Sequence, residues 1–248
     1  MHCADAPHKL LRMVRIDGRQ PNELRPLHFE LDVQKHADGS CIVSLGDTRV
    51  LCAVTVEEQV PRWMRGSGRG WLTAEYNMLP AATNTRSDRE RVLNAGRTKE
   101  IQRLIGRSLR AAVNLDALGE RTFNIDCDVL DADGGTRTAA ITGAFVAASL
   151  AIQRLEYHES PIIAAVAAVS IGIKDSQVLT DLNYAEDSTA DVDCNIVGLA
   201  NGGLVEVQGT AEGQSFTQDQ LNQMVTAANQ ALNETFEAQR SALELRQP

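Results

Sequence analysis

The sequence lacks the patterns that identify several common classes of protein. Its five cysteines are odd in number and form no C-x-x-C pair, which argues against a zinc knuckle and a disulfide framework. Its five histidines are dispersed without ligand spacing, so we assign them no role. No stretch has the spaced glycines of a Rossmann or Walker loop. Four cysteines lie in apolar, strand-like stretches and are expected to be small core residues: Cys41, Cys52, Cys127 and Cys194.

Long apolar runs are also missing. The first thirteen residues, MHCADAPHKLLRM, contain no run of the roughly seven to fifteen apolar residues that an export signal needs. No later stretch approaches the about 20 apolar residues of a membrane span. We therefore expect a cytoplasmic protein without a membrane partner. With 248 residues and 43% hydrophobic content, the chain is large enough for a well-packed core.

The charge of the chain is negative overall but unevenly distributed. The net charge is −9, yet the segment from Arg62 to Arg110 contains eleven Lys/Arg against four Asp/Glu. That segment carries +7 and the remainder carries −16. A basic patch on an acidic body attracts a polyanion to one place. A solvated arginine-rich loop or a subunit contact explains the same distribution equally well.

Hydrophobic periodicity in the first half predicts strands followed by two helices. Alternation indicates a strand at Phe29, Leu31 and Val33, and SCIVSL and TRVLCAVTV flank a Gly-Asp turn as a hairpin. The runs WLTAEYNM and FNIDCDVL are also typical of strands. Helical spacing predicts an amphipathic helix with a basic edge from Thr98 to Val113, and AAITGAFVAASLAI predicts a buried helix.

The second half repeats this alternation of strands and helices. AAVAAVSIGI pairs with QVLTDLN, two further strands are VDCNIVGL and GLVEVQG, and a capping box at Thr217 and Gln220 begins a closing helix. No linker, low-complexity tract or strong repeat interrupts the chain. We therefore expect one α+β domain over residues 15–248, built from two similar halves, after an extension at residues 1–14.

Two predicted helix starts carry residues that suit an anion. In DADGGTRT, two glycines allow a tight turn, and the helix start offers unpaired N–H groups. Thr136 and Arg137 add a hydroxyl and a forked guanidinium after Gly135. Arg97 lies at the start of the amphipathic helix, so the two starts together could clamp one anion. A Gly-Gly turn that caps a helix, with Arg137 paired to a structural carboxylate, is the alternative.

A third group of residues is acidic. Asp187, Asp191 and Asp193 end one loop and enter a strand, where Asp191 and Asp193 share a face. One or two carboxylates suit Mg²⁺ that keeps most of its waters, whereas a calcium loop needs more ligands. Turn formation and capping by aspartate explain the same residues without a metal.

Seven stretches in order closely resemble the ribonuclease PH family, from about Arg15 to the closing helix. They are NELRP, GDTRVLCAVTVEE, PRWMRGSGRGWLTAEYNMLP, GRTKEIQRLIGRSLRAAV, LGERTFNIDCDVLDADGGTRTAAITGA, DLNYAEDSTADVDCNIV and EVQGTAEG. The resemblance implies an α+β fold of the ribonuclease PH type, with two βαβ-like halves, mixed sheets and helices. It also implies phosphorolysis of RNA from the 3′ end, which releases nucleoside diphosphates and is reversible.

The resemblance also implies roles for particular residues. Inorganic phosphate, the co-substrate, is bound by Arg97, Gly135, Thr136 and Arg137, while Asp187 and Asp193 are the catalytic acids that handle Mg²⁺ (or Mn²⁺) or a proton. Trimming of transfer-RNA precursors is the expected activity, and ribosomal RNA is a further substrate. The usual assembly is a homo-hexamer made as a trimer of dimers.

The chain departs from the family pattern in the arginine-rich loop. Ala95 stands where the family has glycine, the loop is about two residues shorter, and Ala81 replaces a residue that is often basic. The competing functions are a catalytic ring subunit of an exosome-like complex and a non-catalytic ring protein that binds RNA. A silent protein of that kind typically loses the arginines and aspartates that are present here. Polynucleotide phosphorylase needs two such cores, and this chain has room for one.

Overall fold

The first sheet has five strands in the computed structural model, which describes residues 15–89, 95–212 and 215–245. The strands are Leu27–Leu31 (β1), Gly39–Leu45 (β2), Thr48–Glu57 (β3), Trp71–Met78 (β4) and Thr122–Asp131 (β5). They lie in the order β1-β2-β3-β5-β4. Neighbours are antiparallel except β4 and β5, which run parallel. This sheet is therefore mixed, as expected.

Local backbone geometry sets the ends of the first strands. The predicted hairpin turn is confirmed, since Leu45 lies opposite Thr48 and Gly46 has the positive φ of 56° that a two-residue turn requires. β1 ends at Leu31 and does not reach Val33, because Asp32 adopts a left-handed φ of 58°.

Two helices begin at the same edge of this sheet. Helix α1 (Gly96–Ala112) connects β4 to β5, and helix α2 (Thr136–Arg154) follows β5. Because β4 and β5 are parallel neighbours, their carboxyl ends meet at one edge, and the helix that follows each strand starts there. Helix α1 begins two residues before the predicted Thr98 and buries Ile101, Leu104, Ile105 and Leu109.

The second sheet has four strands and is antiparallel throughout. Its strands are Val166–Lys174 (β6), Gln177–Thr180 (β7), Val192–Leu199 (β8) and Leu204–Ala211 (β9), in the order β7-β6-β8-β9. A short helix, α3 (Tyr184–Asp187), separates β7 from β8, and α4 (Gln218–Glu244) packs against the sheet. The capping box of α4 at Thr217 and Gln220 is confirmed. The expectation of mixed sheets holds for the first sheet only.

Helix α2 is the centre of the core. It packs on β2 and β3 of the first sheet and on β6 of the second, and its residues 138–152 are all buried. Gly143 allows close approach, because a Cβ there would lie 2.6 Å from Cγ1 of Val43 and 2.9 Å from Sγ of Cys52. The absence of a side chain at Gly143 therefore lets the helix pack close to the sheet.

The cysteines are small core residues, as expected. Cys41, Cys52, Cys127 and Cys194 are free and buried, while Cys3 lies outside the described residues. Residues 1–14, the predicted extension, also lie outside them, as do residues 90–94 of the arginine-rich loop. Among the described helices, none is both long and apolar enough to cross a membrane.

Candidate active site

The two arginines predicted to bind an anion lie in the first turns of α1 and α2. Arg97 is the second residue of α1, and Arg137 is the second residue of α2. The residues before the helices, Ala95 and Gly135, provide no side-chain hydrogen bond to the helix start. The first backbone N–H groups of a helix lack partners within it and lie at its positive dipole end. Both helix starts therefore suit an anion at this edge.

The two glycines before α2 are required by the backbone. Gly134 has a φ of 73° and Gly135 has a φ of 66°, which favour glycine. A Cβ on Gly134 would lie only 2.6 Å from the carbonyl oxygen of Leu182. At Gly134 this turn therefore packs closely against the backbone of the segment that leads to α3.

A buried arginine joins this turn to the segment before α3. The guanidinium of Arg25 donates to both carboxylate oxygens of Asp181, at 2.7 and 2.9 Å, and also to the carbonyl oxygens of Asp133, Gly134 and Leu182. Asp181 is completely buried. The turn at Gly134 and the segment that ends in Asp187 are thus held by one side chain. No local sequence pattern indicates this role of Arg25, because its partner is 156 positions away.

A second buried ion pair fixes helix α3. Arg15 donates to the two carboxylate oxygens of Glu186 at 2.8 and 2.6 Å. Glu186 also forms a capping box with Asn183, the residue before the helix. Because Asp187 follows Glu186 directly, this pair determines where the Asp187 backbone lies.

The two predicted catalytic aspartates share one electrostatic environment with the two arginines. Asp187 ends α3, and Asp193 is the second residue of β8. Burial raises the pKa of Asp187 above its ordinary value, and Arg97 and Arg137 act in the opposite direction. Burial also raises the pKa of Asp193, the charge of Asp187 raises it further, and the same two arginines oppose both effects. The structure therefore brings together four residues from four separate elements.

Tyr76 is a site residue that the sequence analysis missed. Its hydroxyl donates to Oγ1 of Thr136 at 2.9 Å, beneath the start of α2. Burial raises the pKa of Tyr76, whereas the hydrogen bond to Thr136 and the charges of Arg97 and Arg137 lower it. Thr136 accepts this bond and keeps its own proton to donate. In the sequence, Tyr76 looks like an ordinary inward-facing strand residue, so no local signal identified it.

The contacts of Arg137 are weaker than the structural alternative requires. Its Nη1 donates to Oε1 of Gln208 at 3.0 Å and lies 3.8 Å from the exposed carboxylate of Glu100. Gln208 in turn donates to Glu100 at 2.8 Å. An exposed ion pair at this distance contributes little stability. Gln208 and Glu100 therefore orient Arg137, and its charge is not neutralised by a buried carboxylate.

Asp191 does not join Asp187 and Asp193. It precedes β8, so the expected shared strand face with Asp193 is not formed as predicted. Its carboxylate accepts a hydrogen bond from the backbone N–H of Asp175 at 3.1 Å, in the turn between β6 and β7. For this residue the structural role of aspartate in turns is the correct interpretation.

The remaining pair of carboxylates suits a magnesium ion that is bound partly by waters and substrate phosphates. It is too small a set to bind such an ion with protein ligands alone. Within the described ranges, no group of three or more His, Cys, Asp or Glu side chains is arranged to hold a metal ion. Mg²⁺ is usually bound by one or two carboxylates together with waters and substrate phosphates. Asp187 and Asp193 supply oxygen ligands of that kind, and among the described residues neither has a cation within ion-pair distance.

An open cleft lies beside Arg97. Its volume is about 620 Å³, and it lies between the carboxyl end of β4, the start of α1 and the described part of the arginine-rich loop. The lining includes Tyr76, Met78, Arg86, Arg97 and Thr98. A cleft of this size, with cations along its wall, has space for the end of a polyanionic chain next to the paired helix starts.

Comparisons with known proteins agree with this architecture. Models of the 3′ exoribonuclease family match residues 23–152 as domain 1 and residues 164–231 as domain 2. Ribonuclease PH of Mycolicibacterium gilvum is 55% identical over 94% of this chain and 93% of its own length. Ribonuclease PH of Crocosphaera subtropica is 52% identical over 92% of this chain and 97% of its own length.

The fold is also similar to that of solved structures. The Archaeoglobus fulgidus exosome with RNA bound to the active site has a TM-score of 0.77, with 23% identity, over 90% of this chain and 91% of its own. At that identity the likeness concerns the fold.

Proposed function

Because this chain belongs to the ribonuclease PH family of 3′ exoribonucleases, we propose that it shortens RNA from the 3′ end with inorganic phosphate bound between Arg97 and Arg137. Its activity is phosphorolytic and proceeds from 3′ to 5′. The observation that carries the site assignment is the convergence of two helix starts, each with an arginine, on the environment of Asp187 and Asp193.

The proposed reaction needs cations and positioned donors more than an activated side chain. An oxygen of the bound phosphate forms a bond to the phosphorus of the last phosphodiester. The bond from that phosphorus to the 3′ oxygen of the preceding nucleotide breaks, and this 3′ oxygen takes up a proton. The products are a nucleoside diphosphate and an RNA shortened by one nucleotide. Arg97, Arg137 and the N–H groups of the α2 start offset the negative charge that two phosphates bring together.

Asp187 and Asp193 serve the leaving 3′ oxygen in this proposal. Carboxyl groups with a raised pKa retain a proton closer to neutral pH, which suits donation to an oxygen that leaves. In their ionised form the same two groups would instead hold Mg²⁺ (or Mn²⁺). When bound, such an ion supplies Lewis-acid stabilisation of phosphoryl oxygens.

The proposed substrates are the 3′ ends of transfer-RNA precursors and ribosomal RNA, and the proposed assembly is a homo-hexameric ring made as a trimer of dimers. The ribonuclease PH relatives at 52–55% identity support an RNA substrate. The ring is the assembly that the family resemblance implies, and the likeness to exosome proteins concerns the fold. The high identity to ribonuclease PH favours the stand-alone enzyme over an exosome subunit.

The released nucleotide tests this function. The purified protein is incubated with an RNA that carries a short 3′ extension, in matched buffers with and without phosphate, and the small products are identified. We expect nucleoside diphosphates with phosphate and little shortening without it. Release of monophosphates at equal rates in the two buffers would overturn phosphorolysis.

A further inference from the structure

An exposed tryptophan lies on a rigid turn away from the phosphate site. Trp63 is 69% exposed and belongs to a single 3₁₀ turn, Arg62–Met64. The turn is fixed from both sides, since the N–H of Met64 donates to the carbonyl of Pro61 at 2.8 Å and the Met64 side chain is buried. Trp63 is thus presented to solvent by a fixed backbone rather than left on a loose loop.

A second tryptophan and an arginine brace this indole. The Trp63 and Trp71 rings meet edge to face, with centroids 5.0 Å apart and planes at 83°. The guanidinium of Arg110 lies 4.5 Å from the centroid of Trp71, and its Nη1 donates to the carbonyl of Leu72 at 2.8 Å. These contacts hold the Trp63 ring in place while most of its surface stays accessible.

The surroundings of Trp63 are polar, with two arginines and one carboxylate. A cleft of about 360 Å³ beside it is lined by the Trp63 and Trp71 rings, by the exposed Arg62 and Arg65, by Glu57 and by polar side chains. Among the described residues, neither arginine has an acidic partner within ion-pair distance. Single-stranded nucleic acid is typically bound by this combination of an aromatic ring for a base and cations for the backbone.

A basic stripe connects this surface to the phosphate site. Helix α1 packs on β4 and runs antiparallel to it. The start of the helix therefore lies near the end of β4, and the last turn of the helix reaches Trp71. From Thr98 to Arg110 the helix rises about 18 Å, at about 1.5 Å per residue. The exposed Lys99, Arg103 and Arg107 follow one another at four-residue spacing along that length, and Arg107 is also paired with the carboxylate of Glu206. An RNA strand that leaves the phosphate site along α1 therefore meets cations before it reaches Trp63.

We propose that Trp63, with Arg62 and Arg65, is a stacking platform for single-stranded RNA a few nucleotides upstream of the 3′ end. The proposal rests on the proposed function for the direction of the RNA, since the 3′ end must be at Arg97 and Arg137. Stacking on an indole accepts any base, so the platform gives grip without sequence preference. It would retain the RNA after each nucleotide is removed.

Fluorescence separates this proposal from catalysis. The chain has two tryptophans, so Trp71→Phe leaves Trp63 as the sole indole, and Trp63→Phe leaves Trp71. We expect a long single-stranded oligoadenylate to quench the Trp71→Phe protein far more than the Trp63→Phe protein. A short oligoadenylate that does not reach Trp63, and inorganic phosphate alone, should leave Trp63 emission unchanged. Equal responses of the two proteins to the long RNA would overturn the platform, whether or not the protein proves to be phosphorolytic.

Kinetics provide the second test. Trp63→Ala should raise KM for the long RNA by about tenfold, the size expected for one stacked base, while kcat and the KM for phosphate stay at wild-type values. Trp63→Phe should retain most of the affinity, and Ile163→Ala, which truncates another exposed apolar residue, should change nothing. An unchanged KM for the long RNA would overturn the proposal.

Loss of the oligomer in Trp63→Ala, measured by light scattering, would show a contact between copies of this chain instead. Failure of the wild-type protein to release diphosphates would count against the proposed function alone.

Discussion

In the proposed mechanism Asp187 and Asp193 serve the chemistry, while their burial makes their negative charge unfavourable for the fold. Burial raises the pKa of both carboxyls, and the charge of Asp187 raises that of Asp193 further. A carboxyl with a raised pKa in the folded state stabilises the fold most at low pH, below its unfolded pKa. That contribution is lost as the pH rises through the raised pKa. Above that raised pKa, the ionised pair therefore costs stability.

Replacement of Asp193 should separate these two effects. Asp193→Asn keeps size and removes the charge, so we expect the rate to fall at least about a hundredfold, the low end of a general acid–base contribution. The melting temperature at neutral pH should equal or exceed that of the wild type, and the difference should vanish in acid, where Asp193 is protonated. Calorimetry across pH, with turnover per folded molecule, measures both. The same outcome is expected for Asp187→Asn.

Asp181→Asn is the contrasting control. It removes the charge that faces the buried Arg25, and breaking a buried pair from one side costs about 3–5 kcal/mol. Its melting temperature should fall clearly. If Asp193→Asn behaved like Asp181→Asn, with near-normal turnover per folded molecule, Asp193 would be a structural residue.

The role proposed for Arg137 can also be tested by a single substitution. Arg137→Ala should remove a charge-assisted phosphate contact of about 1.5–3 kcal/mol, so the KM for phosphate should rise about tenfold or more. Arg97→Ala should do the same. Arg240→Ala removes an exposed arginine from α4 and should leave the KM for phosphate unchanged. Wild-type phosphate affinity in a folded Arg137→Ala protein would mean that this arginine only orients Gln208 and Glu100.

At the scale of elements, the site exists because two parallel strands end together. The crossover from β4 through α1 to β5 sets both helix starts at one sheet edge, and Arg25 ties that edge to the segment before α3. The turn at Gly134 is the narrowest point of this junction, since it leaves no space for a side chain against Leu182.

Two glycine substitutions separate this contact from backbone strain. Gly134→Ala and Gly119→Ala both place a side chain at positive φ, 73° and 67°, and each should lose about 1–2 kcal/mol for that reason. Only at Gly134 does the new methyl group also meet the backbone, since nothing lies within 4 Å at Gly119. Gly134→Ala should therefore be destabilised further and have a raised KM for phosphate, whereas Gly119→Ala keeps wild-type kinetics. Equal behaviour in denaturant melts and phosphate titrations would contradict the role assigned to the turn.

Local patterns predicted the elements well and the long-range contacts poorly. Strand β4 has the bounds predicted from WLTAEYNM, and buried residues alternate with more exposed ones over most of its length. Arg97 and Arg137 lie at helix starts as predicted, because the local sequence around each arginine indicates where its helix begins. The role of Arg25 was not predicted, since it depends on Asp181, far away in sequence, and a one-residue conformation at Asp32 ended β1 early.

At the scale of the whole molecule, α2 unites the two halves. This helix contacts β2 and β3 of the first sheet and β6 of the second. The boundary between the two family models nevertheless lies close to the carboxyl end of the same helix. We propose that residues 15–248 fold as one unit for this reason. The arginines of the site belong to the first half and its aspartates to the second, so separate halves would have no complete site.

The oligomeric state is the second property of the whole molecule. We expect light scattering at working concentration to give an active homo-oligomer, most simply of six chains, because the basic segment on an acidic body suits a shared entry for RNA. An active monomer at that concentration would exclude the ring as a requirement for activity.

The origin of the oxygen that cleaves RNA tests the central claim most directly. The wild-type protein is given radiolabelled inorganic phosphate and an unlabelled RNA, with Arg137→Ala in parallel. We predict that the label appears in the β-phosphate of the released nucleoside diphosphates, and that Arg137→Ala needs about tenfold more phosphate to reach the same rate. Unlabelled nucleoside monophosphates as the main product would show that water is the nucleophile, and would contradict a phosphate site between Arg97 and Arg137.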